Sequence, residues 1–275
     1  MLIYGIVYLW LIKTMSNIFM EIYYDLIAAH EISNPEKLPY HAEVLDATGI
    51  QQARKMLADV YVRKGVVTPE SLAEDGTLAD EADPYWRRSI YYGVRSEHDP
   101  SRLLITSRLV QPSDEGVDSL QIHIDELDQD LQAELRNSDP AGIAEFAAYV
   151  KEVGLGQIES RLVSLYLIRK MVYDSQARGI KTWVFGMRPE LRKKYERIFG
   201  PALERRGDTV HLGSFKADFV PYKIDVESSW RRLMTASHLR LGSHAIATFV
   251  GAAYLEQNVV APQAVPPTPR PKTIQ

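Results

Sequence analysis

The chain of 275 residues contains no cysteine. That absence excludes disulfides, thiolate metal sites and cysteine nucleophiles, and it suits a reducing compartment such as the cytoplasm. A Gly-x-Ser-x-Gly elbow is missing too, which removes the usual signature of a serine hydrolase. Walker and Rossmann glycine motifs are also absent, which leaves nucleotide-binding enzymes without support. The seven histidines (His30, His41, His98, His123, His211, His238 and His244) are scattered. No two share a helix at zinc-ligand spacing, so no metal site is expected. A surplus of basic charge is lacking as well. The 32 Lys and Arg stand against 36 Asp and Glu, for a net charge of −4, and no nucleic-acid partner is expected. Nor is there an apolar run of the roughly 20 residues needed to cross a bilayer. The longest run, residues 1–12 (MLIYGIVYLWLI), is interrupted by Lys13. It carries neither the positive leading region nor the small-residue cleavage site of a secretory signal. It reads as a helix docked on the domain, as an interfacial membrane helix, or as an upstream extension if translation starts at Met15 or Met20.

What is present is ordinary globular composition, 45% hydrophobic and 25% charged, enough for one large domain with additions. Four regions are expected. Residues 1–40 form an apolar, helical extension, and residues 41–227 the main domain, with an insert at 112–156. Residues 228–259 form a helical addition. Residues 260–275, with five prolines, form a disordered tail. Within the main domain, 41–45 alternates like a first strand. Residues 46–65 read as a helix, with Ile50, Ala53, Leu57, Val60 and Tyr61 at helical spacing and Gly65 as its stop. An acidic loop fills 66–88. Residues 89–95 and 102–111 read as a β-hairpin across Ser96-Glu97-His98-Asp99-Pro100-Ser101. In the insert, Asp139 and Pro140 mark the start of a helix. Residues 157–163 read as the central strand, and Ser164 caps the next helix, whose stripe is Leu165, Ile168, Met171 and Val172. A strand over 181–187, a basic helix over 189–199 and two strands within 209–226 follow. The order β-α-β-β-insert-β-α-β-α-β-β predicts an α/β fold with a mixed sheet and helices on both faces.

The most informative run is Ile158-Glu159-Ser160-Arg161-Leu162. As a strand it aims Glu159 and Arg161 at the same side, about 7 Å apart along the chain. Charges are rarely carried into a covered sheet face unless paired or used.

The element order resembles the GNAT acyltransferase fold. Arg102-Leu103-Leu104-Ile105-Thr106-Ser107-Arg108-Leu109 is similar to the arginine-leucine strand of the autoinducer (N-acyl-homoserine lactone) synthases and of the related N-acyl amino acid synthases. Glu159-Ser160-Arg161-Leu162 resembles their glutamate-serine-arginine strand, although that family separates the glutamate from the serine by one residue. Asp80 and Asp83 lie where those families carry acidic residues, and Arg54 resembles their N-terminal arginine. Tyr195, in Tyr195-Glu196-Arg197-Ile198-Phe199-Gly200, resembles the helix tyrosine that protonates a departing thiolate in many GNAT enzymes.

The resemblance implies an N-acyltransferase. A substrate amine would attack a thioester carbonyl whose oxygen is held by backbone N–H groups beside a bulge. Glu159 is the first candidate base and Asp80 or Asp83 the second. Tyr195 would return a proton to sulfur. Arg108 and Arg161 would hold the acceptor's carboxylate or order the acidic loop, with Asp80, Asp83 and Arg54 completing the acceptor side. An acyl chain would lie against Ile143, Phe146 and Tyr149. Ser164, Leu165, Arg169 and Lys170 would bind the donor. No tightly bound cofactor is implied; the co-substrate is an acyl-phosphopantetheine thioester, on acyl carrier protein or coenzyme A. GNAT enzymes often place a glycine-rich phosphate loop after the central strand. The junction 163–167 has no glycine, which favours the carrier protein. Basic residues from Arg169 to Arg197 would steer such an acidic partner. The acceptor is an amino acid or a similar small amine. The alternative is a non-catalytic GNAT-like binding module, in contact with a membrane surface through residues 1–29.

Overall fold

The structure, a computed structural model, describes residues 39–122, 127–212 and 217–235. The expected extension at 1–40, except its last two residues, lies outside that range, as do 236–259 of the helical addition and the proline-rich tail. Among the described residues no helix is long and apolar enough to cross a membrane.

Among the described residues, thirteen helices and strands carry the fold. They are β1 (Tyr40–Val44), α1 (Ala47–Arg63), β2 (Ser89–Ser96), β3 (Leu103–Val110), α2 (Gln129–Arg136), β4 (Ile143–Lys151), α3 (Gln157–Ala177), β5 (Thr182–Met187), α4 (Arg192–Phe199), β6 (Leu203–Arg205), β7 (Val210–Leu212), β8 (Ala217–Asp225) and α5 (Val226–Thr235). The eight strands form one sheet in the order β1-β2-β3-β4-β5-β8-β6, with β7 also paired to β8. Pairing is antiparallel except between β4 and β5. The α/β class and the mixed sheet agree with the sequence.

Local rules explain much of this. Asp46 accepts a hydrogen bond from the Gly49 N–H at 2.8 Å and so satisfies a free donor at the start of α1. The buried Ala53, Leu57 and Ala58 recur on one face of that helix, which packs on Tyr91, Leu103 and Val150. The hairpin of β2 and β3 pairs Ser89 with Val110 and Tyr91 with Arg108.

Two segments depart from expectation. Residues 157–163 are not a strand but the first turns of α3, so Glu159 and Arg161 do not flank a sheet face. The helix lies between the sheet and α5, where Tyr173 meets Trp230 with ring centroids 5.8 Å apart. Leu162, Val163, Leu167, Ile168, Met171 and Val172 are all buried, so apolar residues occupy too much of its circumference to leave a clean stripe. The central strand is β4, inside the stretch read as an insert. Asp139 and Pro140 open only a single 3-10 turn, Pro140–Gly142, before β4 begins. The sequence of β4, Ile-Ala-Glu-Phe-Ala-Ala-Tyr-Val-Lys, is rich in helix formers, but β3 and β5 on either side hold it extended. Tertiary pairing overrides a weak local preference there.

The sheet separates two packed layers. On one face, α3 and α4 cover Phe146, Trp183, Phe185 and Tyr222. On the other, α1, α2 and the loops before β2 and after β3 cover Val110, Ile143, Val150 and Val184.

Candidate active site

The two parallel strands pair only over Ile143 with Thr182, Ala144 with Trp183 and Glu145 with Val184. Past that point β5 continues along β8 and β4 along β3, so the two part and open a gap in the sheet. In open α/β sheets, ligands bind beyond the carboxyl ends of such strands. The register of β3 against β4 slips between Thr106 and Arg108, which pair with Val150 and Ala147. One residue of β3 thus faces two of β4, a β-bulge. Its residue Ala148 has φ of +54°, a left-handed conformation uncommon for a residue with a side chain. Ser107 braces the bulge by donating to the Ala147 carbonyl at 2.8 Å. A bulge re-aims backbone N–H groups, and here it does so at the edge of the gap.

Glu145 belongs to the last ladder pair and is a carboxylate that sequence reasoning missed. It is buried, and burial pushes its pKa up to about 7, against hydrogen bonds from the Ile122 and Gln121 N–H groups and the charges of Arg108 and Arg88. The Ile122 bond is 2.9 Å. A lone acid within the apolar run 143–150 was the available signal, and the helix reading hid it. On β4, the family's spacing of one residue between glutamate and serine gives Glu145-Phe146-Ala147-Ala148, with alanines where the serine and arginine would stand.

Arg108 meets Asp83 through two bonds, of 2.7 and 2.8 Å, and donates to the Tyr91 hydroxyl at 2.9 Å. Both side chains of the ion pair are buried. Burial opposes the guanidinium's charge, yet Asp83 and Tyr91 hold its pKa above the ordinary value. Of the two roles expected for Arg108, this geometry matches the ordering of the acidic loop. Asp80 is exposed and accepts from Trp86 Nε1 at 2.7 Å and from Arg87 at 2.8 Å. Arg54 donates to the Leu78 carbonyl at 2.8 Å, lies 4.0 Å over the Trp86 ring and is 3.9 Å from Asp80. Arg54, Asp80, Asp83 and Arg108 thus share the α1 face.

Glu159 lies apart from them, in the first turn of α3, where it accepts from the Tyr40 hydroxyl at 3.3 Å. The side chain of Arg161 lies outside what the structure describes; its backbone is in α3. Ser164 caps nothing. It sits two turns inside α3, accepts from the Tyr149 hydroxyl at 2.5 Å and donates to the Ser160 carbonyl at 2.5 Å. Leu165, Arg169 and Lys170 are likewise interior to α3. Arg169 is about 18 Å along the axis from the helix start, at 1.5 Å per residue. None of the four donor-binding candidates is at the helix N-terminus.

That terminus is preceded by Glu152-Val153-Gly154-Leu155-Gly156, so the junction between the central strand and the next helix does carry glycines, eleven residues before the 163–167 junction expected from sequence. Gly154 has φ of +91°, which disfavours any side chain. Gly156 is the N-cap and offers no capping side chain, so the first N–H groups of α3 stay available to an anion. Lys151, at the end of β4, donates to Ser160 Oγ at 2.5 Å, and burial lowers its pKa.

Tyr195 is buried, 4% exposed. Its ring lies at centroid distances of 6.1 Å from Phe199, 6.0 Å from Phe185 and 6.3 Å from Phe146. Burial, followed by the nearby Tyr149, raises its pKa. Phe146 and Tyr149 share this aromatic face, whereas Ile143 points to the other side, with Val184.

No family model matches the chain, and no curated protein matches it. Its likeness to known proteins is in structure. FeeM, an N-acyl amino acid synthase from uncultured soil microbes, superposes with a TM-score of 0.51 at 14% identity, over 70% of this chain and 93% of FeeM. BjaI, a CoA-dependent acyl-homoserine lactone synthase solved with SAM and isopentyl-CoA, gives 0.51 at 14% identity, over 76% of this chain and 97% of BjaI. TofI, in a ternary complex with an inhibitor and MTA, gives 0.50 at 15% identity, over 69% of this chain and 92% of TofI. The chain has the GNAT-like α/β fold. Among proteins of that fold, it resembles the acyl-homoserine lactone and N-acyl amino acid synthases.

Proposed function

We propose that this protein is an N-acyltransferase that moves an acyl group from a pantetheine thioester to the amine of an amino acid or similar small acceptor. The observation that carries the reading is the gap between β4 and β5, bordered by the Ala148 bulge and by Glu145. The thioester would lie in the gap with its carbonyl oxygen on bulge N–H groups. Glu145, rather than Glu159, would take the amine's proton, since a general base works best with a pKa near the operating pH. The aromatic face around Phe146, Phe185 and Tyr195 offers apolar surface to an acyl chain.

For the donor, Gly154 and Gly156 remove the argument that singled out acyl carrier protein. Coenzyme A is the first donor to test, and its phosphates suit the open start of α3 with Lys151 beside it. Acyl carrier protein remains the second. The test is mass-spectrometric detection of acyl transfer from coenzyme A and carrier-protein thioesters of several chain lengths to a panel of amines. Transfer from one of them that is lost in Glu145→Gln is expected. No transfer by folded protein from any donor overturns the proposal.

A further inference from the structure

We propose that Tyr149 on β4, rather than Tyr195 on α4, protonates the departing thiolate, with Ser164 holding the Tyr149 hydroxyl in place. The inference rests on the acyltransferase reading and assigns that reaction its acid.

Three observations support it. First, Tyr149 follows the bulge residue Ala148 on the strand whose edge borders the gap, so it is carried by the segment that would hold the thioester. Tyr195 is set among the rings of Phe146, Phe185 and Phe199. Second, Tyr149 and Glu145 stand on opposite faces of β4. Glu145 is bonded to Ile122 on the α1 and α2 side, and Tyr149 to Ser164 of α3 on the other. A thioester threaded between them would meet the base from one face and the acid from the other, as amine attack and thiol departure require. Third, Ser164 is placed to serve the ionised phenol. Its hydroxyl donates to the Ser160 carbonyl and can turn to donate to a phenolate at Tyr149. Burial pushes the pKa of Tyr149 up to about 12, and the Ser164 bond works against that rise. A negative charge at Tyr149 would also disfavour a second at Tyr195, so one phenol, not both, would ionise.

The step balances. In the adduct of amine and thioester the new C–N bond is kept and the C–S bond breaks, with its electron pair going to sulfur. The Tyr149 Oη proton moves to that sulfur and releases a free thiol. Glu145 takes the proton given up by nitrogen and then releases it through water to the Tyr149 phenolate, which restores both groups.

Leaving-group dependence separates this role from a structural one. An acid matters most when the leaving thiolate is basic, as with coenzyme A, and least when it is a thiophenolate. With the same acyl group on both thiols, Tyr149→Phe should lower kcat about 10²- to 10³-fold on the coenzyme A thioester, but under about tenfold on the thiophenyl ester. Ser164→Ala should show the same pattern more weakly, and it tests the idea even if Tyr149→Phe fails to fold. Tyr195→Phe should affect both donors alike. Equal losses on both donors in Tyr149→Phe and Ser164→Ala, or leaving-group dependence confined to Tyr195→Phe, would overturn the assignment while leaving the acyltransferase reading intact. No transfer by the unmodified protein from either donor would overturn both.

Discussion

Arg108 on β3 grips Asp83 in the loop before β2 with two hydrogen bonds, both partners buried. A guanidinium so enclosed depends on its carboxylate, because an isolated buried charge is costly. Asp83→Asn should therefore destabilise the protein by about 3–5 kcal/mol in chemical denaturation. Replacing both partners together, Asp83→Leu with Arg108→Met, should recover most of that loss. A loss under about 1 kcal/mol in the single variant would show that the pair does not anchor the loop.

Glu145 couples stability to pH. Its pKa is raised by burial from 4.5 to about 7, so the folded state keeps a proton that the unfolded state gives up between those values. Stability from this group is complete below about pH 4.5 and is lost as pH rises to about 7, by roughly 3 kcal/mol at 1.36 kcal/mol per unit. Glu145→Gln should abolish this slope and be the more stable protein at pH 8, while losing activity. Activity of the unmodified enzyme should rise with pH through about 7, as the carboxylate forms. Denaturation and rate profiles over pH 5–9 test both limbs, and a flat pair would contradict the assignment.

Gly156 leaves open space where a Cβ would go, with nothing within 4 Å. Gly156→Ala should change stability by no more than about 0.5 kcal/mol. It should nonetheless raise the KM for coenzyme A thioesters several-fold, by crowding the start of α3. Unchanged KM would place the donor phosphates elsewhere.

Ala148 holds its left-handed conformation at a cost of about 1–2 kcal/mol. Ala148→Gly should be neutral or slightly stabilising in thermal unfolding. Ala148→Val, whose branched side chain is worse in that region, should destabilise by more than about 1 kcal/mol. The reverse order would mean that the bulge relaxes on substitution.

Glu159 is a useful control. Partly exposed and bonded to the Tyr40 hydroxyl at 3.3 Å, it should tolerate Gln with under about 1 kcal/mol of stability lost. Transfer rates should be near those of the unmodified protein. A loss comparable to that of Glu145→Gln would restore it as a base.

The residues that were legible in sequence obey local rules. Asp46 announces α1 because its side chain serves the first free N–H groups of its own helix. The β2–β3 hairpin shows because its partners are neighbours in the chain. Arg108, Asp80 and Asp83 could be picked out because charged residues at those positions match a known pattern. The central strand could not be read the same way. Ile143–Lys151 is written in helix-forming residues and Gln157–Val163 in an ambiguous run, and the two were exchanged. The placement of the candidate residues follows from that exchange: Glu159 and Ser164 lie within α3, and the glycine-bearing junction precedes that helix, eleven residues before 163–167.

The sequence by itself determined the class of fold, the absence of cysteine chemistry and the local elements α1 and the β2–β3 hairpin. Local hydrogen bonding and short-range pairing are enough for those. Only the tertiary structure decided which segment lies at the middle of the sheet. That choice depends on burial between β3 and β5, whose nearest residues are 33 and 31 positions from the two ends of β4, and no local propensity reports it.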